Sequence, residues 1–334
     1  MADYDAIERL WNVTGDEEMN VYVHTPFCLC KCKYCLYTGK VGISDVEEKY
    51  FTMVLEKSLD RFKDMLSKRK VKTLYFGGGT PNAYSPETLK RVFNKAYSIC
   101  QPECAILEIN PAFMTEEQLK DIVNWGVTLI TFGVQSFDER VLRKQTRAFM
   151  DEEKIKKFVE ICHEAGVKVS MDIMCYIDTY TNKDIKLFEK DMEKAMAMDA
   201  DFITAYPEMN LIKRDPAIAE HFSKYIKDKA KTGYENYYVD ISKKNDESYK
   251  IEHNPNLVYR AIKNEHDYDY FMDKILPYYE NDFASAKHNI IGFGDKNCSQ
   301  AVVSYSPEKF MYTEHFSFPE PTYDIKYISP ELDV

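Results

Sequence analysis

Between Val21 and Tyr37 the chain reads VYVHTPFCLCKCKYCLY, which sets Cys28, Cys32 and Cys35 in the spacing C-x3-C-x2-C straight after a short apolar, β-branched run. Three thiolates this close can hold one face of a cuboidal iron-sulfur cluster. A four-iron cluster has four corners, so one iron is left for a ligand other than cysteine. Structural zinc is the rival, because it takes four ligands and Cys30 could offer the fourth. Cys30 stands two residues from both Cys28 and Cys32, too crowded for one tetrahedral ion. The open corner of a cluster is where chemistry is expected.

Downstream, the sequence alternates between two periodicities. Strands are expected at Val21 to His24, Lys72 to Phe76, Ala105 to Ile109, Val127 to Gly133, Val167 to Met174 and Asp201 to Tyr206. Helices fall between them. Ser44 and Glu47 form a capping box ahead of Leu55, Leu59 and Phe62, and Ser85-Pro86 supply an N-cap and N1 ahead of Leu89, Phe93 and Ala96. Thr115 and Gln118 open a third helix closed by Gly126. Ile155, Phe158 and Val159 mark a fourth closed by Gly166, and Asp184 to Met198 is a fifth. Such alternation gives parallel strands with right-handed crossovers, as an open sheet or a barrel.

The placement of polar residues favours the barrel. His24, the glycines 77 to 79, Glu108, Gln135 and Asp172 lie at or just past the carboxyl ends of successive strands, which in a barrel share one rim. The fold expected is α/β: a partial (β/α)6 TIM-like barrel over 20–210, after a helical lead-in at 1–19 that includes a short helix over residues 5 to 12. A C-terminal α+β extension over 211–334 would cover the substrate site, with Asn289 to Gly292 returning to the sheet edge. In the rim, Gly77-Gly78-Gly79-Thr80 lets backbone approach a ligand closely. No Gly-Lys-Ser/Thr follows, so it is not a phosphate loop.

The cysteine spacing, with Tyr34 just before the last Cys, resembles the radical S-adenosylmethionine (SAM) superfamily. YVHTPFC, FGGGTPN, EINP, FGVQSF and MDIM, in this order, look like its branch of oxygen-independent coproporphyrinogen III oxidases, heme chaperones and class C methyltransferases and cyclopropanases. The resemblance implies a [4Fe-4S] cluster on Cys28, Cys32 and Cys35, and SAM, one molecule or two, on the free iron. Reductive cleavage would then give methionine and a 5′-deoxyadenosyl radical. It implies that Tyr22, His24 and Tyr34 flank the cluster and SAM, that Gly77, Gly78, Gly79 and Thr80 line the methionine moiety, and that Glu108, Gln135, Arg147 and Asp172 hold SAM. Arg147 would take the methionine carboxylate by bidentate contact. The function implied is modification of a carbon centre of a small molecule, with methyl or methylene transfer as in class C. Rearrangement or oxidation without transfer, or a heme-binding chaperone, are the alternatives. An electron donor such as flavodoxin or ferredoxin is the implied partner.

The chain also departs from that branch. Met174 to Asp178 stands where relatives have a Gly-Leu-Pro turn beside a second SAM, Tyr37 stands where the coproporphyrinogen oxidases carry another Cys, and the C-terminal part is shortened or replaced. A substrate other than coproporphyrinogen is therefore expected. Cys100, Cys104, Cys162, Met171, Met174, Met192 and Met196 fit core packing. His163 and His221 fit helix surfaces. Cys175 or Cys298 could serve as a thiol hydrogen donor, and the tyrosine-rich segment 234–279 could line a pocket.

Composition bounds the rest. Over 334 residues the formal net charge is −11, which argues against a nucleic-acid surface. No apolar run reaches the ~18 residues of a membrane span. The acidic N-terminus is unlike a signal peptide. Nine cysteines, an odd number without disulfide-framework spacing, fit a reducing compartment, so a cytoplasmic location is expected.

Overall fold

A computed structural model of the chain describes residues 18–35, 40–175, 183–207, 224–225, 228, 238–240, 259–275, 289–293, 300–304, 309–316 and 321–328. The expected lead-in helix, Tyr37, residues 176–178, His221, Cys298, the side chain of Glu47 and most of the tyrosine-rich segment lie outside them. No helix among the described residues is long and apolar enough to cross a membrane.

The chain runs through β1 (Met19–Thr25), β2 (Phe27–Cys28), β3 (Lys40–Val41), α1 (Asp45–Arg61), β4 (Val71–Gly78), α2 (Pro86–Cys100), β5 (Cys104–Ile109), α3 (Glu116–Ile122) and β6 (Leu129–Gln135). Then come α4 (Glu139–Lys144), α5 (Glu152–Glu164), β7 (Lys168–Cys175), α6 (Lys183–Ala197), β8 (Phe202–Pro207), β9 (Tyr238–Asp240), β10 (Tyr259–Ile262), α7 (Glu265–Tyr270) and β11 (Asn289–Phe293). Among the described residues these strands, apart from the separate pair β2-β3, form one sheet in the order β11-β1-β4-β5-β6-β7-β8-β10-β9. It is parallel from β11 to β8, and β10 and β9 add antiparallel at the far edge. The six expected strands are all present and adjacent, and the sheet is open, as a partial barrel requires. The return of 289–293 to the edge beside β1 also matches. A second antiparallel sheet is formed by β12 (Gln300–Ser304), β13 (Lys309–Phe316) and β14 (Pro321–Ile328).

Local chemistry sets the helix ends. Ser85 accepts from Thr88 N with Pro86 in the first turn, and Thr115 and Gln118 make the reciprocal capping box. Each such cap is worth about 1 kcal/mol. Asp138 caps α4, a helix that six residues of mixed polarity did not announce.

The strand period of two sorts side chains to the two faces of the sheet. Val21, Val23, Leu74, Phe76, Leu107, Ile130, Phe132, Val169, Met171 and Ile203 pack with Phe93, Phe158 and Phe188 of the helices into the main core. Fully burying each such side chain contributes roughly 1.5–3 kcal/mol. Cys175 belongs to this helix-side core, so the expectation that it could face the cavity is corrected. Cys100, Cys104 and Cys162 are buried as expected. His163 is not a plain surface residue, because its Nε2 lies 2.8 Å from Asp201 Oδ2.

The alternate positions form the inner face. Near the amino ends of the strands, Tyr75, Ile106, Leu129 and Phe202 close on Ile262, Phe271 and Ile275. Lys168 reaches across to the buried Asp267, and Thr73 Oγ1 donates to Lys274 O at 2.5 Å, tying residues 262–275 over that end. The inner face is left open to chemistry at the carboxyl ends, where its residues become polar.

Candidate functional site

At the carboxyl end of β1 the inner positions are Tyr22 and His24. The Tyr22 hydroxyl and His24 Nδ1 are hydrogen-bonded at 3.0 Å, and burial pushes His24 down to about 3, so the imidazole is neutral. The chain then enters the cysteine loop. Phe27–Cys28 pairs with Lys40–Val41, Gly42 N donates to Cys28 O at 2.9 Å, and Lys33 N donates to Gln145 O at 3.0 Å. The loop is thereby pinned on both flanks.

The three glycines after β4 lie against this loop. Gly79 N donates to Thr25 O at 2.6 Å and Thr80 N to Phe27 O at 2.7 Å. A Cβ on Gly78, at φ +105, would lie 2.2 Å from the His24 ring, and one on Gly79 would lie 2.9 Å from Cys28 Sγ. Only glycine lets this turn seat beside the cysteines. Thr80 Oγ1 faces Cys28 Sγ at 3.9 Å.

Glu108 projects from β5 beside the glycines. It accepts from the Tyr75 hydroxyl and Gly78 N, yet burial pushes its carboxyl up to about 7. On β6 a bulge after Gly133 puts Gln135 at φ 71, a conformation a non-glycine residue holds only where its surroundings enforce it. Asp191 of α6 supplies the enforcement, accepting from Ser136 Oγ at 2.6 Å and Phe137 N at 3.0 Å. Gln135 Oε1 accepts from the Tyr206 hydroxyl at 2.7 Å. Asp172 is the inner-face neighbour of Gly133 and Thr204, close enough to Tyr206 to act on its hydroxyl.

Arg147 reaches back from the loop after α4. One Nη donates to Gly133 O and the other lies 3.7 Å from Cys32 Sγ. Its guanidinium thus sits at the cysteine loop as well as on the rim. Cys30 also approaches Cys32, Sγ to Sγ 4.0 Å. The hydrogen bond with Cys30, with Arg147 behind it, holds the Cys32 thiol below the usual thiol range. Tyr34 places its hydroxyl beside Cys32 and Arg147, buried with no hydrogen-bond partner of ordinary geometry.

All the residues expected in the site are thus gathered at one end of the sheet. Two others belong with them: Tyr75, on Glu108, and Tyr206, among Gln135, Asp172, Tyr34 and Arg147. Their inward strand phase, shared with Gly77 and Thr204, was the available signal.

Residues 22–192, just over half of the chain, match the Radical SAM superfamily. The chain belongs to the Radical SAM superfamily. It is 28% identical over 196 residues to the heme chaperone HemW of Haemophilus influenzae, covering 56% of this chain and 50% of that protein. It is 26% identical over 206 residues to the oxygen-independent coproporphyrinogen III oxidase of Helicobacter pylori, covering 58% and 43%. The chain spans about half the length of the curated relatives it matches. Among solved structures, coproporphyrinogen III oxidase (HemN) of Escherichia coli aligns with a TM-score of 0.68 at 16% identity, over 93% of this chain and 70% of that one. At that identity the likeness establishes the fold.

A [4Fe-4S] cluster and SAM are the cofactors of this family, and the residues present fit them. Cys28, Cys32 and Cys35 are near enough for their charges to act on one another. Cys28 and Cys35 are half-buried, so an inorganic cluster can reach them. Their surroundings have no room for a Cβ at Gly79 and hold an unsatisfied hydroxyl at Tyr34.

Proposed function

We propose that this chain binds a [4Fe-4S] cluster through Cys28, Cys32 and Cys35 and cleaves SAM reductively at the free iron, activating a carbon centre of a bound substrate. The observation that carries this reading is that the glycines 77 to 79, with His24, and Arg147 lie against the cysteine loop, while Glu108 and Gln135 stand at the same end of the sheet. When bound, the cluster and SAM supply a one-electron cleavage that no side chain can perform.

The chain's own contribution is position and charge. The neutral His24 and the glycine turn shape the wall against the cluster. Thr80 and Tyr34 border the thiolates, and the Arg147 cation offsets their negative charge. Glu108, Gln135 and Asp172 present oxygens to the ammonium group and ribose hydroxyls of SAM. The 211–334 region would cover the substrate over the rim and exclude water. A reduced flavodoxin- or ferredoxin-type carrier would deliver the electron.

Methyl or methylene transfer finds no support in the relatives' names, which are heme chaperone and coproporphyrinogen III oxidase. Two readings therefore rank above it: oxidation or rearrangement without group transfer, and heme handling of the kind the name HemW describes. The similarity to HemW proteins at 28% identity is the observation that favours the second.

The test is anaerobic reconstitution with iron and sulfide, reduction by dithionite with SAM, and chromatography of the products. 5′-Deoxyadenosine that disappears in Cys32→Ala is expected. S-adenosylhomocysteine beside it would restore methyl transfer. A cluster that forms but never cleaves SAM, together with a shifted heme absorption band on adding heme, would replace the enzyme with the chaperone.

A further inference from the structure

Glu108 is held from one side by a residue that the cofactor reading does not use. Tyr75 lies on the inner face of β4, its hydroxyl donating to Glu108 Oε1 on the adjacent strand. Gly78 N donates to the same carboxyl. Gly77, between them, has no side chain, and a Cβ there would lie 2.7 Å from Glu108 Oε2 and 2.8 Å from Tyr75 Cε1. The carboxyl therefore lies against the backbone of β4 at Gly77. Its other oxygen is beside the turn that approaches Cys28.

The ring of Tyr75 is fixed independently of that hydrogen bond. It is 3% exposed and packs in the apolar plug with Ile106, Leu129, Phe202 and Phe271. On its other side Tyr22 leans on it with ring centroids 6.0 Å apart. A phenyl ring could fill the same space, so packing alone does not call for the hydroxyl. That hydroxyl donates to the carboxyl.

We propose that Tyr75 is a positioning residue: its hydroxyl holds Glu108 ionised and aimed at the SAM site, so that SAM affinity near neutral pH depends on it. This rests on the cofactor reading above. The sign follows from the two opposing influences on Glu108. Burial raises its pKa and the Tyr75 and Gly78 donors oppose that by favouring the charged form, leaving it at about 7. Removing one donor leaves burial less opposed, and the carboxyl takes up its proton at a higher pH.

The surrounding groups leave this balance alone. From β1, His24 is neutral and bonded to Tyr22. From β6 and β7, the neighbours in register are Thr131 and Ser170, which carry no charge. Asp172 lies one step further along β7, nearer Tyr206, and Arg147 is engaged with Gly133 O and Cys32.

The experiment compares wild type, Tyr75→Phe and Glu108→Gln. The Glu108 carboxyl is titrated by carbon NMR of 13C-glutamate-labelled protein, with Glu108→Gln assigning the signal. SAM dissociation constants are measured on the cluster-loaded proteins at pH 7 and pH 9. In Tyr75→Phe the midpoint should rise by about one unit. SAM binding should weaken several-fold at pH 7, and the difference should shrink at pH 9, where both carboxyls are ionised and only the lost aiming contact remains. A purely structural role for Tyr75 would weaken binding equally at both pH values.

An unmoved midpoint overturns the proposal without touching the function, since the titration needs no SAM. A raised midpoint with unchanged SAM affinity overturns the link between Tyr75 and the cofactor. Loss of SAM cleavage in the wild type itself is a separate result, and it would overturn the cofactor reading instead.

Discussion

Tyr206, on β8, donates its hydroxyl to Gln135 Oε1 at 2.7 Å, reaching across β7 to a residue that a bulge has turned to φ 71. The two are 71 positions apart in sequence. Tyr206→Phe removes the donor and leaves the Gln135 amide free to rotate. One such bond contributes about 1 kcal/mol, so SAM affinity of the cluster-loaded protein should fall about fivefold. Calorimetric titration with SAM checks this, and an unchanged dissociation constant would detach Gln135 from the cofactor.

The glycine turn separates close approach from mere turn geometry. Gly78 and Gly166 both have positive φ, +105 and +74, but a Cβ at Gly78 meets the His24 ring at 2.2 Å while one at Gly166 meets nothing within 4 Å. Gly166→Ala should therefore cost only the backbone strain, about 1–2 kcal/mol. Gly78→Ala should cost more and displace His24, lowering the iron bound per chain after reconstitution. Melting temperatures and iron content of the two variants decide the matter. Equal losses in both would mean that the turn does not press on the cysteine loop.

Glu108 should make the ligand-free protein less stable than it need be. Its carboxyl is raised from 4.5 to about 7 by burial, so the folded state binds a proton more tightly than the unfolded chain. The penalty is absent below the unfolded pKa, grows between, and is complete above about 7, where 2.5 units correspond to about 3 kcal/mol at most. Glu108→Gln should raise the melting temperature at pH 8 and leave it nearly unchanged at pH 4.5. A gain of the same size at both pH values would show that the charge is not the cause.

Asp191 should couple stability to the site. It is 1% exposed and accepts from Ser136 Oγ and Phe137 N, directly after Gln135. Asp191→Ala leaves both donors buried without a partner, a loss of about 2–4 kcal/mol. Denaturant titration should register that loss. SAM affinity should drop with it, because the bulge that aims Gln135 is no longer held. Full SAM affinity in a destabilised variant would mean that the bulge keeps its shape unaided.

Much of the fold was legible because it rests on local chemistry. Thr115 with Gln118, Ser85 with Pro86, and the period-two apolar runs of the six strands are short-range signals, and each element they announce is present. The short α4 was not, since six residues carry too little periodicity to stand out. Nor was the pairing of β12 to β14, because strand partners are chosen by distant segments rather than by the strand itself.

The sequence by itself determined the cysteine spacing, the alternation that makes parallel strands, and the residue types at their carboxyl ends. Those depend on neighbours a few positions away. Only the tertiary structure decided that Arg147 reaches Cys32, that Tyr75 holds Glu108, that Tyr206 meets Gln135, and that Cys175 turns to the helices. Each of these depends on strand register and on which side of the sheet a position falls. A shift of one residue reverses the side, and the long-range packing of the whole barrel sets it.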